Sequence, residues 1–536
     1  MSAAAPALYG SDPSRLTPLA ARLLKKGWLK WAIALSASLG AILEVIDTVI
    51  TNVALSDIRG NLGASLSEAG WISTSYACAN VVIIPLSAWL GYRFGKRNYF
   101  LFSLLGFTGA SLLCGLSTSL GMLIFARVLQ GLAGGGLLAK AQAIVFEAFP
   151  SSERAAAQAI FGLGVIVGPA IGPLLGGWLT DNLGWRWIFF INLPVGAVAL
   201  LMGRLFLPAD DPPSTDRKGS VDWTGIALLA VGLASFQIML EEGQQEGWFE
   251  SRMIQITAAL SLVGVALFVW RELTTPEPAV NLKVLRYPSM VGGTLYSAIL
   301  GLGIYGIMFA VPVFVQDYLH FTALQSGQLL VPGAIVSAMT MMLFGRIGNR
   351  VPPRVLICIG ALLTSLTGFS LMDINPDTGS SQLFWPLVYR AMGSVLIFMP
   401  LSLATLGPLP KKDIAAGSGL YSLTRQLGSS IGIALITTML ARREALHRSV
   451  LVEKLTDFNP VVSERLAMLS GGVPGPGSHE QGLKVLDRIV TGQTALLSFD
   501  DLFFYVAVMF VLSLPLLLLL GGKGGKDSKE AAAAAH

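Results

Sequence analysis

The sequence predicts an all-α integral membrane protein with fourteen transmembrane helices. Three observations lead there: the composition, the lengths of the apolar runs, and the positions of the basic residues. Of 536 residues, 53% are hydrophobic and only 13% charged, about half the charge that soluble domains carry. A mean hydropathy of +0.65 over this length excludes a single water-soluble core, and equally a disordered or fibrous chain. Cys78, Cys114 and Cys358 lie in apolar runs without CxxC pairing, which argues against a disulfide framework and a structural zinc site. A net charge of +5 would fit a nucleic-acid partner if the basic residues shared one soluble face. They sit instead at the ends of apolar segments, so the expected partner is the lipid bilayer and not nucleic acid.

Crossing the hydrocarbon takes about 20 apolar residues. Runs of that kind start near Trp31, Glu68, Asn98, Gly121, Ala155, Trp187, Trp223, Met253, Met290, Ser326, Arg354, Phe384, Ile414 and Leu502. Long apolar runs without strict alternation fit helices and not barrel strands. Residues 1–30 form a polar N-terminal segment ending in Lys25, Lys26 and Lys30, followed by an uncleaved first helix. Residues 31–208 then make one six-helix half, 221–272 two inserted helices, 289–520 a second six-helix half, and 521–536 a polar tail. With the N-terminus inside, 23 of the 37 Lys and Arg fall on inner segments. The short outer loops hold only Arg59, Arg186 and Arg252, so both termini are expected in the cytoplasm. Segment 441–500 is the one sizeable outer region, and two helical patterns around a Gly/Pro break at 471–477 predict a helical hairpin lying on the outer surface.

The halves carry an internal repeat. Arg93, Gly95, Lys96 and Arg97 follow the second run, and Arg346, Gly348 and Arg350 follow the tenth, with Arg93, Gly95 and Arg97 in register with the latter three. Arg127 before Gly131 and Arg390 before Gly393 extend the match to the fourth helix of each half. Parallel repeats are an architecture of secondary transporters, with a substrate site near the midplane between the halves.

Several charges fall inside helices. Glu44 and Asp47 lie about 20 and 24 Å above the inner end of the first helix, and three residues of separation puts them on one face. An ionisable group at that depth costs roughly 2.5–3.5 kcal/mol, so it faces a cavity or a partner. Two neighbouring acids disfavour joint ionisation, which brings proton binding within reach; a static network with basic partners is the other reading. Arg127, about 21 Å above the inner face by the same count, is the candidate partner, with Gln130 one turn on. Lys140 falls near the inner boundary and is expected to snorkel. Snorkelling is also open for Arg425, and a solvated rim is the expectation for Gln316 and Asp317.

The fifth helix carries Gly164, Gly168, Pro169, Gly172, Pro173, Gly176 and Gly177. Glycines every four residues let a neighbouring backbone approach closely, and prolines permit bending, which suits a gate between packed states. Gln130, Tyr76, Phe161, Tyr305, Met308 and Phe309 are candidates for an adaptable substrate cavity, with ordinary helix packing as the alternative.

At these residues the chain resembles the major facilitator superfamily, and within it the 14-helix drug:proton antiporters of the EmrB/QacA type. Leu43 to Leu55 looks like the family's first-helix motif, with Asp47 as its acid. Ala126-Arg127-Val128-Leu129-Gln130-Gly131 looks like the fourth-helix motif, whose arginine is implicated in proton coupling. Gly164 through Gly177 resembles the antiporter motif of helix 5. The inner loop departs from the pattern, with Tyr92 where many relatives have aspartate and Ala88 where they have glycine. The resemblance implies the major facilitator fold and a bacterial inner-membrane location. It implies efflux of small amphipathic drugs in exchange for protons, with the proton gradient as energy source and no cofactor. Members of this type in double-membraned bacteria pair with a periplasmic adaptor and an outer-membrane channel.

Uptake or facilitated diffusion of a metabolite is the alternative within transport, and a receptor or scaffold without flux the alternative outside it. A membrane enzyme lacks residues: the four histidines form no HExxH, and GxxxxGK[ST] is absent.

Overall fold

The computed structural model describes residues 15–210, 221–319, 321–348, 350–372, 375, 378–456, 458–470 and 478–520. The 471–477 break, the 521–536 tail and the first fourteen residues of the N-terminal segment lie outside the described residues. All regular elements among the described residues are helices. The first half comprises α1 (Pro18–Lys25), α2 (Leu29–Val53), α3 (Leu55–Leu62), α4 (Leu66–Phe94), α5 (Lys96–Gly115), α6 (Leu120–Gly134), α7 (Leu137–Ala148), α8 (Arg154–Leu183), α9 (Trp187–Phe190) and α10 (Asn192–Phe206). The inserted pair is α11 (Trp223–Glu242) and α12 (Arg252–Thr274). The second half comprises α13 (Pro288–Leu300), α14 (Gly306–Asp317), α15 (Ala323–Ile347), α16 (Pro353–Ser370), α17 (Ser380–Leu406), α18 (Ile414–Glu453), α19 (Pro460–Leu469) and α20 (Ser478–Ser513).

Thirteen helical stretches among the described residues are long and apolar enough to cross a membrane. The remaining expected crossing, at Ile414, is present as α18 but is more polar. Its Ser418, Ser422, Arg425, Ser429 and Ser430 are buried against protein, so they need no hydrocarbon-compatible side chain. Elsewhere the bundle surface carries large apolar groups such as Phe102, Leu262, Trp270 and Met339, as a lipid-facing surface requires.

The α2–α10 helices pack on one another, as do α13–α20, while α11 pairs with α12 and lies against both α4 and α18. The halves meet where α8 runs beside α15 and where α4 and α7 meet α18. Hydrogen bonds between the halves gather at one end, called basal here, which carries the 94–96, 149–153 and 407–413 connections. There Arg154 donates to Gly407 O (3.2 Å), Ser402 to Gln158 Oε1 (3.2 Å), and Ser418 to Ala139 O (2.7 Å). At the opposite, distal end the polar Thr48, Asn52 and Ser73 are exposed or half-buried on α2 and α4, and Ser73 donates to Asn52 Oδ1 at 2.8 Å.

Three expectations about element shape are revised. The fourth crossing is two helices, α6 and α7, broken at Gly135 and Gly136. A Cβ on Gly135 would lie 2.9 Å from Asn80 Cα, so glycine there is what lets the α4 backbone come close. The ninth crossing contains a π turn at Gly301–Tyr305 between α13 and α14. Segment 441–500 is not a separate surface hairpin: α18 and α20 continue past the bundle as its arms. His447 and Arg443 both reach Asp501 (2.8 and 3.5 Å), Arg448 reaches Asp487 (2.5 Å), and α19 packs on α20.

The basic loop after α4 is built around Gly95, whose φ of +92° lies in the region that favours glycine. This residue ends α4 and starts α5. The Asp210 carboxylate accepts the first-turn N–H groups of Arg97 (3.0 Å) and Asn98 (2.9 Å), satisfying donors that a helix start leaves open. Lys96 pairs with Glu147 at 2.6 Å and Arg97 donates to Arg204 O at 2.8 Å. An acid absent at Tyr92 is thus supplied from a distant part of the chain. In the second half Gly348 has φ of −62°, Arg346 and Arg350 are exposed, and α16 starts only at Pro353. The repeat is shared in residue type and not in backbone shape.

A Cβ at residue 95 would collide with the Asp210 carboxylate. Gly95→Ala and Asp210→Asn should each lower the melting temperature of the detergent-solubilised protein. Because both disturb one contact, the double variant should lose less than the sum of the two; thermal unfolding curves of the three variants check this.

Candidate functional site

The most deeply buried charges of the first half meet on α2. Asp47 and Arg127 have side chains 1% exposed, and Arg127 Nη1 donates to Asp47 Oδ2 at 2.5 Å. The other carboxylate oxygen accepts from Gln130 Nε2 (2.8 Å) and Asn192 Nδ2 (2.7 Å). Arg127 also donates to Gln130 Oε1 (2.7 Å) and, through Nε, to Ile72 O (3.2 Å), while its plane lies 4.2 Å from the Tyr76 ring centre. Ser111 Oγ accepts from both amides, at 2.9 Å from Gln130 and 3.3 Å from Asn192. Side chains from α2, α4, α5, α6 and α10 therefore close one network around a single pair of opposite charges. Asp47, Arg127 and Gln130 come together as the sequence predicts. Asn192 and Ser111 were not legible as partners, since a lone amide or hydroxyl on an apolar run carries no signal of what it faces.

Glu44, 6% exposed, shares the buried side of α2 but has other partners. Asn80 Nδ2 donates to its Oε1 at 3.0 Å, and the backbone N–H of Leu138 donates to its Oε2 at 2.8 Å. Leu138 is the second residue of α7, so the break at Gly135–Gly136 turns a helix start toward a carboxylate in the middle of the bundle. Open N–H groups and the positive end of the helix dipole both favour an anion there. The run Gly134-Gly135-Gly136 was the available sign of such a break.

Lys140 does not snorkel. It is 7% exposed, its Nζ makes no hydrogen bond, and it lies over the Tyr99 ring. The sequence count assumed a straight helix, whereas α7 starts afresh after the glycines and is covered by α18. Arg425 is likewise buried, stacked 5.1 Å from the Phe398 ring centre with Nη1 unbonded. Arg390, also in the second half, is buried with Nε unbonded. Gln316 is exposed and donates to Ser326 Oγ at 3.2 Å, and the Asp317 side chain lies outside the described residues.

The α8 glycines divide. Cβ atoms on Gly164, Gly168, Gly172 and Gly176 would meet Ile42, Val45, Val49 and Ile50 in turn, so this stripe seats α8 on the face of α2 away from its acids. Gly177 has nothing within 4 Å, Pro173 is half-buried, and the Pro169 side chain lies outside the described residues. The cavity candidates have varied surroundings. Tyr76 and Gln130 belong to the Asp47 network, Phe161 is fully buried, Met308 is half-buried, and the side chains of Tyr305 and Phe309 lie outside the described residues.

One enzyme-like string is present. Gly428-Ser429-Ser430-Ile431-Gly432 has GxSxG spacing, but it lies inside α18 without the strand-to-helix turn that exposes a nucleophile. Ser430 Oγ there accepts from Gln237 at 2.7 Å.

Removing one partner of a buried ion pair leaves the other uncompensated, at about 3–5 kcal/mol. Asp47→Asn and Arg127→Gln should therefore each destabilise the detergent-solubilised protein strongly, and the double variant should recover part of the loss. A double-mutant cycle of melting curves measures this coupling.

A Major Facilitator Superfamily family model matches residues 37–433. The chain is 33% identical to the multidrug export protein EmrB of Escherichia coli K12 over 92% of this chain and 97% of that protein. It is 31% identical to the fatty acid resistance protein FarB of Neisseria gonorrhoeae, with the same shares covered. The solved structure of the human organic anion transporter MFSD10 (TETRAN) superposes with a TM-score of 0.57 at 15% identity, over 91% of this chain and 99% of that one, and shows the fold alone. Membrane-length helices and bacterial relatives of this kind describe a multi-pass inner-membrane transporter. With its arginine, acid and glycine stripe in place on this all-helical frame, the chain belongs to the Major Facilitator Superfamily, among the EmrB-type drug exporters.

Proposed function

We propose that this protein exports amphipathic compounds in exchange for protons by alternating access, with Asp47 as the proton-binding group and Arg127 as its counter-charge. The buried Asp47–Arg127 pair carries the reading. Two ionised groups in the hydrocarbon are costly, and the network around them is satisfied only while Asp47 is a carboxylate. A proton on Asp47 removes the charge that holds Arg127 and leaves Gln130 and Asn192 to rearrange, so protonation biases the bundle toward a second packing. Asp47 is sealed in the conformation described, with the halves bonded at the basal end and the exposed Thr48 and Asn52 lying distal to it. Proton exchange then belongs to the other part of the cycle, as alternating access requires.

In this reading the basal end faces the cytoplasm, in keeping with its basic residues, and both termini are cytoplasmic. The proton gradient is the energy source and no cofactor takes part. Substrates are small and amphipathic, consistent with relatives named for multidrug export and fatty acid resistance. The α18–α20 extension reaches into the periplasm, where an adaptor leading to an outer-membrane channel completes the route. Glu44, held by Asn80 and Leu138, has a supporting role.

Proteoliposomes loaded with a fluorescent amphipathic compound and given an imposed pH gradient test the proposal. Wild-type protein should move the compound against its gradient, Asp47→Asn should abolish proton-driven movement, and Glu44→Gln should slow it less. Unaltered transport by Asp47→Asn would refute the assignment, and movement down the pH gradient together with protons would replace export with uptake.

A further inference from the structure

A second feature lies at the basal end, away from the Asp47 network. A cavity of about 280 Å³ opens between α4, α7 and the connection leading into α18, so its walls come from both halves. Trp89 and Tyr92 line it from α4, Lys140 and Glu147 from α7, and Lys412 from the connection before α18. Tyr92 and Lys412 are exposed at its mouth, while Lys140 lies at its floor, 7% exposed.

The charges of this cavity do not cancel. Lys96 and Glu147, also on its wall, neutralise each other at 2.6 Å. The Asp210 carboxylate, at the same end, is bonded to the N–H groups of Arg97 and Asn98. Lys140 Nζ has no hydrogen-bond acceptor and rests on the Tyr99 ring. A buried ammonium without an acceptor is costly, and a ring face recovers only part of that cost. An acceptor brought by a ligand would recover the rest. The indole of Trp89 and the aliphatic wall of Ile144 meanwhile offer apolar surface beside the charge. A cationic compound would face Lys140 and Lys412 with only an already paired carboxylate to receive it.

From this arrangement we infer that the basal cavity binds the anionic headgroup of an amphiphile, a carboxylate or phosphate on an apolar chain, with Lys140 as its principal partner and Lys412 at the entrance. The site names a substrate charge class for the transport proposed above and rests on that reading only for the direction of movement. Because the ligand would touch α4, α7 and the start of α18 together, it would hold the basal ends of the two halves against each other.

Binding without any gradient tests the inference separately from proton coupling. Full-length protein in phosphatidylcholine nanodiscs is titrated with a fluorescent dodecanoate probe and with its trimethylammonium counterpart, read by anisotropy. The dodecanoate probe should bind, and Lys140→Met should weaken it by about tenfold, or ~1.4 kcal/mol, with the cationic probe unchanged. Lys140→Arg should keep most of the affinity, and the surface variant Lys412→Gln should give a smaller loss without endangering the fold. In phosphatidylglycerol nanodiscs, weakened probe binding would identify a lipid headgroup as the resident anion; unchanged binding would identify a free amphiphile. Dodecanoate affinity unaffected by Lys140→Met, or an equal loss for both probes, would overturn the inference. Failure of Asp47-dependent transport would leave it standing.

Discussion

Burying one carboxylate and one guanidinium in a hydrocarbon-spanning bundle is the constraint from which much of the first half follows. Neither Asp47 nor Arg127 has water to turn to, so every lone pair and every N–H must find a partner in the chain. Gln130, Asn192, Ser111 and the Ile72 carbonyl supply those partners from separate helices, and each helix is thereby fixed in rotation as well as position. Such a network is cooperative: satisfied, it specifies one packing, and with one charge neutralised several of its members lose their reason to stay. A stable structure and a switch can therefore be made from the same residues.

Glycine sets the distances at which this happens. The stripe from Gly164 to Gly176 lets α8 lie on the face of α2 opposite the acids, and α8 in turn runs beside α15 of the second half. A change of charge on α2 is thus one packed helix away from the interface between the halves. The glycines between α6 and α7 do something different. They interrupt a helix so that a backbone N–H points at Glu44 and α4 can approach the break. Half-helix starts of this kind are a means of holding an anion at membrane depth.

Charges at the basal end sort into satisfied and unsatisfied groups. Lys96 with Glu147, Lys30 with Glu153, and Asp210 with the start of α5 are local pairs that brace connections between helices. Lys140 is buried and has no such acceptor. In the second half Arg390 and Arg425 are also buried, each with an unbonded guanidinium nitrogen. The two halves share a pattern of helices, but among the described residues it is the first that pairs its central arginine with a carboxylate.

Much of the architecture was legible in the chain alone. Long apolar runs can be little else than membrane helices, because hydrocarbon offers no partner for an open backbone group. The depth of Asp47 and Arg127 follows from the rise of a helix, and their matching depth marks them as candidate partners in the sequence alone. Tertiary structure decided what depends on the far side of each contact. Whether Lys140 reaches headgroups or is roofed by α18, whether Gly95 takes a positive φ while Gly348 does not, and which amides close around Asp47 are settled by neighbours distant in sequence. The continuity of α18 and α20 through segment 441–500 is of the same kind: ion pairs between two arms sustain helices that their apolar pattern alone had divided. Periodicity and depth are properties of one helix at a time, whereas burial and pairing belong to two, and only the folded bundle brings the second helix into place.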